Sequence, residues 1–329
     1  MSGASPRSRT VAIIGAGAAG LTCARVLKEQ GYSPTIFEKS RGLGGRLATR
    51  RADGGVAFDH GVQYVTAKSA VFRDFMRSSI AEGAAALWHP QRAEKTSRDQ
   101  QDWFVGTPTM NTFLKTGTDG IEIRLQTEIK SIERQGNGWG VRAGNDDLVE
   151  RFDIVVATAP APQAKALLSS ERWVDEALGD VTIAPCWALM IACSSPIDTG
   201  FDVLSSDERD LAWIARNTSK PQRTAAVDCW TIHASDAWSE RHLECEREDI
   251  ARMMMEMLPR EFTDHSAGVS YAAAQRWRYA KTSKPLGDPF LSSEDGTLFV
   301  GGDWCLGARV ECAFESGFAV ANAVSKSGN

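Results

Sequence analysis

The first forty residues alternate between apolar runs and glycine-rich breaks. Val11 to Ile14 is a short apolar run, and Gly15-Ala16-Gly17-Ala18-Ala19-Gly20 follows it without a gap. Leu21, Ala24 and Leu27 then recur at helical spacing, which predicts a helix ended by Gly31. A second run, Pro34 to Phe37, reads as a strand and stops on an acid, Glu38. Strand, glycine turn, helix, strand and terminal acid are the parts of a dinucleotide-binding βαβ unit. Gly15 permits the tight turn, Gly17 lets backbone N–H groups reach a pyrophosphate, and Gly20 lets the helix pack on the strand. The helix N-terminus adds partial positive charge for the phosphates. Glu38 stands at the distance from the glycines at which an acid accepts hydrogen bonds from ribose hydroxyls.

Further along, Lys39-Ser40-Arg41-Gly42-Leu43-Gly44-Gly45-Arg46 is a glycine-rich loop with three basic residues. Phe72 to Ile80 has helical spacing. Ile121 to Leu125 alternates as a half-buried strand, and Ile129 to Ile132 and Gly138 to Val141 read as extensions of one antiparallel ribbon. Phe152 to Pro160 is nearly continuous in apolar residues, as expected of a buried parallel strand. The middle of the chain mixes two strands, Trp187 to Cys193 and Ala226 to His233, with a helix over Ser239 to Leu258. Leu298-Phe299-Val300-Gly301-Gly302-Asp303 reads as a last buried strand. A final helix presents Val310, Ala313, Phe314, Gly317, Phe318 and Ala321 on one face. The expected fold is α/β: a discontinuous Rossmann-like domain, parallel sheet plus antiparallel ribbon, with an inserted α+β domain. The nucleotide-binding domain is assigned residues 1–72, 117–165 and 290–329, and the substrate domain residues 73–116 and 166–289.

Composition narrows the partners. A 329-residue chain with 43% hydrophobic residues can bury a full core. The net charge of −5 argues against a nucleic-acid surface. The stretch Met1 to Thr10 has no apolar signal core, and no apolar run approaches a membrane span. Seven cysteines, without a C-x-x-C pair, read as reduced thiols in a cytoplasmic protein. His89, His242 and His265 lack metal-ligand spacing, so no metal site is expected.

Gly15, Gly17, Gly20, Glu38, the Arg41-to-Arg46 loop, Ala157-Thr158-Ala159-Pro160 and Gly301-Gly302-Asp303 together resemble the FAD-binding fold of the amine-oxidase and phytoene-desaturase superfamily. They run from one end of the chain to the other. The resemblance implies that Gly45-Arg46 approaches the pyrophosphate, that Asp303 bonds the ribityl and phosphate region, and that the helix starting near Val310 faces the flavin pyrimidine. The backbone near Ile129 is implied at the adenine, and Gln63-Tyr64 beside the flavin. Ala16, Ala19 and Lys39 complete the implied FAD-binding set. Within the superfamily the chain is similar to the bacterial renalases. That likeness rests on Asp59-His60-Gly61-Val62-Gln63-Tyr64, Ala157 to Gln163, Trp213 to Pro221, Trp230 to Ala234, Arg276 to Ala280 and Gly302 to Glu311. His60 and a short stretch between Trp88 and Trp103 depart from the renalase pattern.

The resemblance implies oxidation of 1,2- and 1,6-dihydro-NAD(P), with hydride passing to flavin N5 and O2 reduced to H2O2. Hydride loss from a dihydropyridine removes no proton, so no general base is nominated. The implied substrate contacts are Phe58, Asp59, His60, Gly61, Val62, Trp187, Trp304 and Arg309. Five of these have a structural alternative: Asp59 capping a turn, His60 packing, the indoles Trp187 and Trp304 as core, and Arg309 pairing with Glu311 or Glu315. Trp213 and Trp277 are further candidates for the pocket wall, and His233 reads as structural. Arg50, Arg51, Arg216 and Lys220 read as solvated charge that could meet a substrate phosphate. Cys305 lies in a different sequence setting from the cysteines of the superfamily's covalent flavoproteins, so FAD is expected to be noncovalent. An amine or polyamine oxidase is the alternative activity; the superfamily's amine oxidation usually keeps a lysine near flavin N5, and the sequence places none there. A protein that binds FAD only to hold its fold is the third.

Overall fold

The Thr10–Ile14 strand is apolar on both faces, and the chain uses it as the centre of a six-stranded sheet. The structure is a computed structural model that describes residues 9–93, 101–144, 147–223, 227–263 and 268–327. The chain divides into two compact units. Unit 1 holds Met1–Gly45, Leu114–Thr182 and Thr282–Asn329; unit 2 holds Arg46–Phe113 and Ile183–Lys281.

In unit 1 the sheet runs in the order Leu291–Ser292, Leu298–Val300, Ile154–Ala157, Thr10–Ile14, Ser33–Phe37 and Glu122–Arg124. Every neighbour pair is parallel except Leu291–Ser292 against Leu298–Val300. The register pairs Ile14 with both Ala157 and Phe37. All three strands therefore end level, and the segments after them, Gly15, Thr158 and Glu38, share the carboxyl edge of the sheet. The chain order reverses at the central strand, the position where open α/β sheets bind ligands. Helices Ala18–Glu29 and Val310–Ser327 pack backbone to backbone: a Cβ on Gly317 would stand 2.1 Å from Ala19 O. A separate antiparallel sheet joins Asp147–Phe152, Gly138–Ala143 and Ile129–Gln135.

Two sequence expectations change here. The strand expected over Ile121 to Leu125 is the outer parallel strand of the main sheet and not part of the ribbon, because Ile123 pairs with Ile36. The run from Phe152 to Pro160 holds two strands: Phe152 ends the ribbon opposite Trp139, and Ile154 starts the buried strand. Asp153 separates them by accepting from the Thr10 N–H (2.7 Å) and hydroxyl (2.9 Å).

Unit 2 is built on a five-stranded sheet in the order Val203–Ser205, Leu211–Arg216, Asp228–Ala234, Thr182–Cys193 and Val269–Lys284. Alternation sorts its faces. Trp187, Leu189 and Ile191 pack with Trp230, Trp238, Ile250 and Met254, while Met190, Ala192 and Cys229 pack with Val56 and Phe58. The helix expected over Ser239 to Leu258 is instead two, Asp236–Arg241 and Arg247–Glu256. Side chains take the carbonyls between them: Trp187 Nε1 donates to His242 O (3.0 Å) and Arg276 Nη1 to Leu243 O (2.8 Å). Residues 46–72, grouped from the sequence with the nucleotide-binding piece, fold with unit 2, where Thr49–Arg51 pairs with Ala57–Asp59. Residues 114–116, 166–182 and 282–289 fold with unit 1. The residue His265 and the start of the strand expected at Ala226 lie outside the described residues.

Candidate active site

The carboxyl edge of the unit 1 sheet gathers the three glycine motifs. Gly15 has φ +111°, a conformation other side chains rarely adopt. Its N–H donates to Phe37 O (2.8 Å), and the Thr158 hydroxyl donates to Ile14 O (2.9 Å), which pins the turn between both neighbouring strands. Gly20 is required by approach: a Cβ there would stand 2.0 Å from Gly15 O. Gly17, by contrast, faces open space, with no protein atom within 4 Å of a Cβ. It caps the Ala18–Glu29 helix without any side-chain hydrogen bond, leaving the cap position open to an outside acceptor. Gly44 N–H donates to Ala16 O (2.8 Å), and a Cβ on Gly45 would lie 3.7 Å from Gly17 Cα, so the two glycine loops form one cradle.

Glu38 is buried at the rim of that cradle. It accepts from Ala16 N–H at Oε2 (2.9 Å) and from Ser40 N–H at Oε1 (2.8 Å), which aims the carboxylate and leaves lone pairs for a ribose. Asp303 is buried after the Leu298–Val300 strand and accepts from the Thr282 hydroxyl (3.3 Å). Trp304 is fully buried and donates to Ala159 O (3.0 Å). Ile129 opens its strand buried, and Lys39 is exposed, 3.4 Å from Gln163 Oε1. The final helix begins at Val310. Arg309 Nη1 lies 3.2 Å from the buried Glu311 carboxylate, the structural partner that the sequence offered as the alternative to a substrate.

Unit 2 contains a second, electrically unusual set. Asp59 is fully buried and receives five donors: the Thr49 hydroxyl (2.6 Å), Met110 N–H (3.3 Å), Lys220 Nζ (3.2 Å), and Arg223 Nε (3.2 Å) and Nη2 (2.8 Å). Burial would raise this carboxyl, but Lys220 and Arg223, with the Thr49 hydroxyl, bring it down to about 2. Burial lowers Lys220 to about 8, against the pull of Asp59. Lys220 also donates to Gln63 Oε1 (3.1 Å), while the Gln63 amide donates to Asp59 O and to Gly61 O (3.0 Å). Asn217 Oδ1 accepts from Asp59 N–H (3.1 Å). His60 O accepts from Trp277 Nε1 (3.0 Å) and from His233 Nε2 (3.2 Å). Burial holds the His233 imidazole down at about 4 and lowers His60 as well. Gly61 is set by approach, since a Cβ would stand 2.1 Å from Arg46 O, and Val62 N–H donates to that same oxygen (2.9 Å).

Other candidates have structural partners within unit 2. Trp187 lies in the core of unit 2, where strand alternation turns it toward Trp238 and Ile250. Phe58 stacks on Tyr271 (5.4 Å between ring centroids). The Arg46 guanidinium, expected at the pyrophosphate, donates to Ala280 O (2.8 Å) within unit 2. Arg216 is bound by Ile197 O and the Trp230 ring rather than solvated. Arg223 is the functional candidate that sequence reasoning missed, since it carries no signal at all; Lys220, expected as solvated charge that could meet a substrate phosphate, is instead buried against Asp59.

A family model described as flavin containing amine oxidoreductase matches residues 68–325, and one described as NAD(P)-binding Rossmann-like domain matches residues 13–78. The chain belongs to the flavin containing amine oxidoreductase family. This family membership implies a flavin cofactor. The cradle of unit 1 fits FAD: an uncapped helix start, open space at Gly17 and a buried acid at the rim. Solved structures give the same fold. Cyclohexylamine oxidase from Brevibacterium oxydans IH-35A is 14% identical with a TM-score of 0.73, covering 97% of this chain and 99% of that one. An oxidoreductase from Methanosarcina mazei is 14% identical with a TM-score of 0.70, covering 95% and 100%. Among curated relatives, L-amino-acid oxidase from Siganus canaliculatus is 38% identical over 72 residues, 22% of this chain and 14% of that protein. Lysine-specific histone demethylase 1 homolog 3 from Arabidopsis thaliana is 45% identical over 58 residues, 18% of this chain and 4% of that protein. The chain thus spans only a small part of the curated relatives it matches. Among the described residues no helix is long and apolar enough to cross a membrane.

Proposed function

We propose that this flavoprotein is a cytoplasmic, renalase-type oxidase that converts 1,2- and 1,6-dihydro-NAD(P) to NAD(P)+, consuming one O2 and one proton and releasing one H2O2 per turnover. One observation carries the reading. Four segments of the renalase likeness, far apart in sequence, meet around Asp59 and His60. They are Asp59-to-Tyr64, Trp213-to-Pro221, Trp230-to-Ala234 and Arg276-to-Ala280, joined through Lys220, Asn217, His233 and Trp277. Segments that only filled a core would have no reason to converge on one polar set.

Bound FAD supplies the hydride acceptor and the route of electrons to O2. The reading assigns Gly15, Ala16, Gly17, Ala19, Gly20, Glu38, Gly45, Ile129, Asp303 and Val310 to hold it, without a covalent bond. Burial pushes the Cys305 thiol up to about 12, which suppresses the thiolate that attachment needs. In unit 2 the protein's own groups hold protons still. Asp59 is saturated with donors, and His60 and His233 are held toward neutrality. A hydride donor that loses no proton suits such a set. Gln63 is locked by Lys220 on one side and by two carbonyls on the other, which fixes the Asp59-to-Tyr64 segment.

A specific observation also favours amine oxidation. Lys220 is a buried lysine bonded to Gln63, and lysine is the residue that amine oxidation in this superfamily usually retains. Peroxide release separates the two readings. With 1,2- and 1,6-dihydro-NAD and a panel of primary amines and polyamines, the proposal expects peroxide from the dihydronicotinamides alone. Peroxide from an amine, and none from either isomer, refutes it.

A further inference from the structure

The Asp59 set carries more positive than negative charge. One carboxylate, Asp59, faces two cations, and the side chains of Asp59, Lys220 and Arg223 are 0%, 0% and 4% exposed. The imidazoles beside them, His60 and His233, add no balancing anion. Buried charges are normally paired. Among the described residues this set retains one surplus positive charge.

A cluster of aromatic rings continues from it within unit 2. Lys220 Nζ lies 5.3 Å from the centre of the Trp88 ring. Trp88 is 5.6 Å from Trp103, which stacks on Tyr64 at 3.7 Å; Trp213 lies 5.6 Å from Tyr64 and 5.8 Å from Trp103. The Arg92 guanidinium lies 3.8 Å over Trp103. Trp88 Nε1 donates to Ser219 Oγ (3.1 Å). The indole N–H groups of Trp103 and Trp213 are both buried, and neither has a hydrogen-bond partner among the described residues. An indole N–H can only donate, and buried donors are rarely left without an acceptor.

We infer that Trp103 and Trp213 are specificity residues: their N–H groups take acceptor atoms of the substrate, and the surplus charge of the Lys220–Arg223 set favours a substrate with negative charge. The substrate class is an anionic, acceptor-rich molecule, with the phosphate and carboxamide oxygens of a nicotinamide nucleotide as its acceptors. This rests on the proposed reaction for its chemistry and adds the groups that select the substrate. A protonated amine brings donors and positive charge to a set of groups that already has both.

The test measures binding rather than turnover. Purified holoenzyme is titrated with NAD+, ADP-ribose and putrescine, read by tryptophan fluorescence and by calorimetry, in wild type and in Trp103→Phe and Trp213→Phe. Phenylalanine keeps a ring and removes the donor. Wild type should bind NAD+ and ADP-ribose, with affinity falling as salt rises, and should not bind putrescine over the same range. Each variant should bind NAD+ about tenfold more weakly, the loss expected for one hydrogen bond. The wild-type comparison stands even where a variant folds poorly. Putrescine competing with NAD+, no binding of either nucleotide, or unchanged NAD+ affinity in both folded variants overturns the inference. If NAD+ binding depends on the indoles but no dihydronicotinamide reduces the flavin, the reaction is misassigned and the inference stands. If the flavin is reduced but the variants bind like wild type, the reaction stands and the inference fails.

Discussion

Lys220 Nζ stands 3.2 Å from Asp59 Oδ2, and neither side chain reaches solvent. The pair joins positions 161 residues apart, and Arg223 makes it a triad through the same oxygen at 2.8 Å. Removing one member of a buried charge set leaves the others without compensation. Asp59→Asn should therefore destabilise the protein by about 3–5 kcal/mol. The double variant Asp59→Asn with Lys220→Met, which removes a charge from each side, should recover part of that loss. Urea unfolding with equal FAD in every sample measures both. Equal stability of Asp59→Asn and wild type contradicts the arrangement.

Acid sensitivity follows from His233. Its folded-state value of about 4 lies below the ordinary value near 6.5 because burial penalises the imidazolium. Between those values the unfolded chain binds the proton and the folded protein does not. Stability is thus present above about pH 6.5 and lost as pH falls toward 4, by up to about 3 kcal/mol. His233→Gln should flatten this part of the stability profile. Asp59, held at about 2, adds a second loss below about pH 4. A profile in which His233→Gln keeps the full slope between pH 6.5 and 4 contradicts the buried neutral imidazole.

Gly17 and Gly20 are both glycines of one motif, yet they should fail differently. Gly17→Ala meets no protein atom, so the apoprotein should melt like wild type while FAD binds at least tenfold more weakly. Gly20→Ala places a methyl 2.0 Å from Gly15 O and should lower the stability of the apoprotein itself by about 1–3 kcal/mol. Thermal melts and FAD titrations of both variants check this. The reverse pattern would mean that the open space at Gly17 is not where the cofactor's phosphates lie.

Glu38 is aimed by two backbone N–H groups. Glu38→Gln keeps the shape and removes the charge that strengthens a ribose hydrogen bond. FAD affinity should fall about tenfold, the difference between a charged and a neutral acceptor. Unchanged affinity would remove Glu38 from the cofactor site.

The cradle was legible in the sequence because its parts follow one another. Gly15 to Gly20 and Glu38 lie within one βαβ unit, so spacing alone carries their geometry. The strand at Glu122–Arg124 was misjudged because alternation reports a half-buried strand, which an outer parallel strand and a ribbon strand share. A core place for Trp187 was indistinguishable from a pocket one for the same kind of reason: the pattern gives its face, not what covers that face. The Asp59 triad was invisible. Nothing local separates a lysine or arginine destined for burial from a solvated one, and its partner comes from another part of the chain. The convergence on His60 O of Trp277 and His233 was likewise a product of tertiary structure.

The central claim is tested most directly by anaerobic rapid mixing of the FAD-loaded protein with 1,2- or 1,6-dihydro-NAD, following the flavin absorbance. The account predicts bleaching of the yellow oxidised flavin in milliseconds to seconds with at least one isomer, and return of the colour when O2 is admitted. A flavin that stays oxidised with both isomers contradicts it.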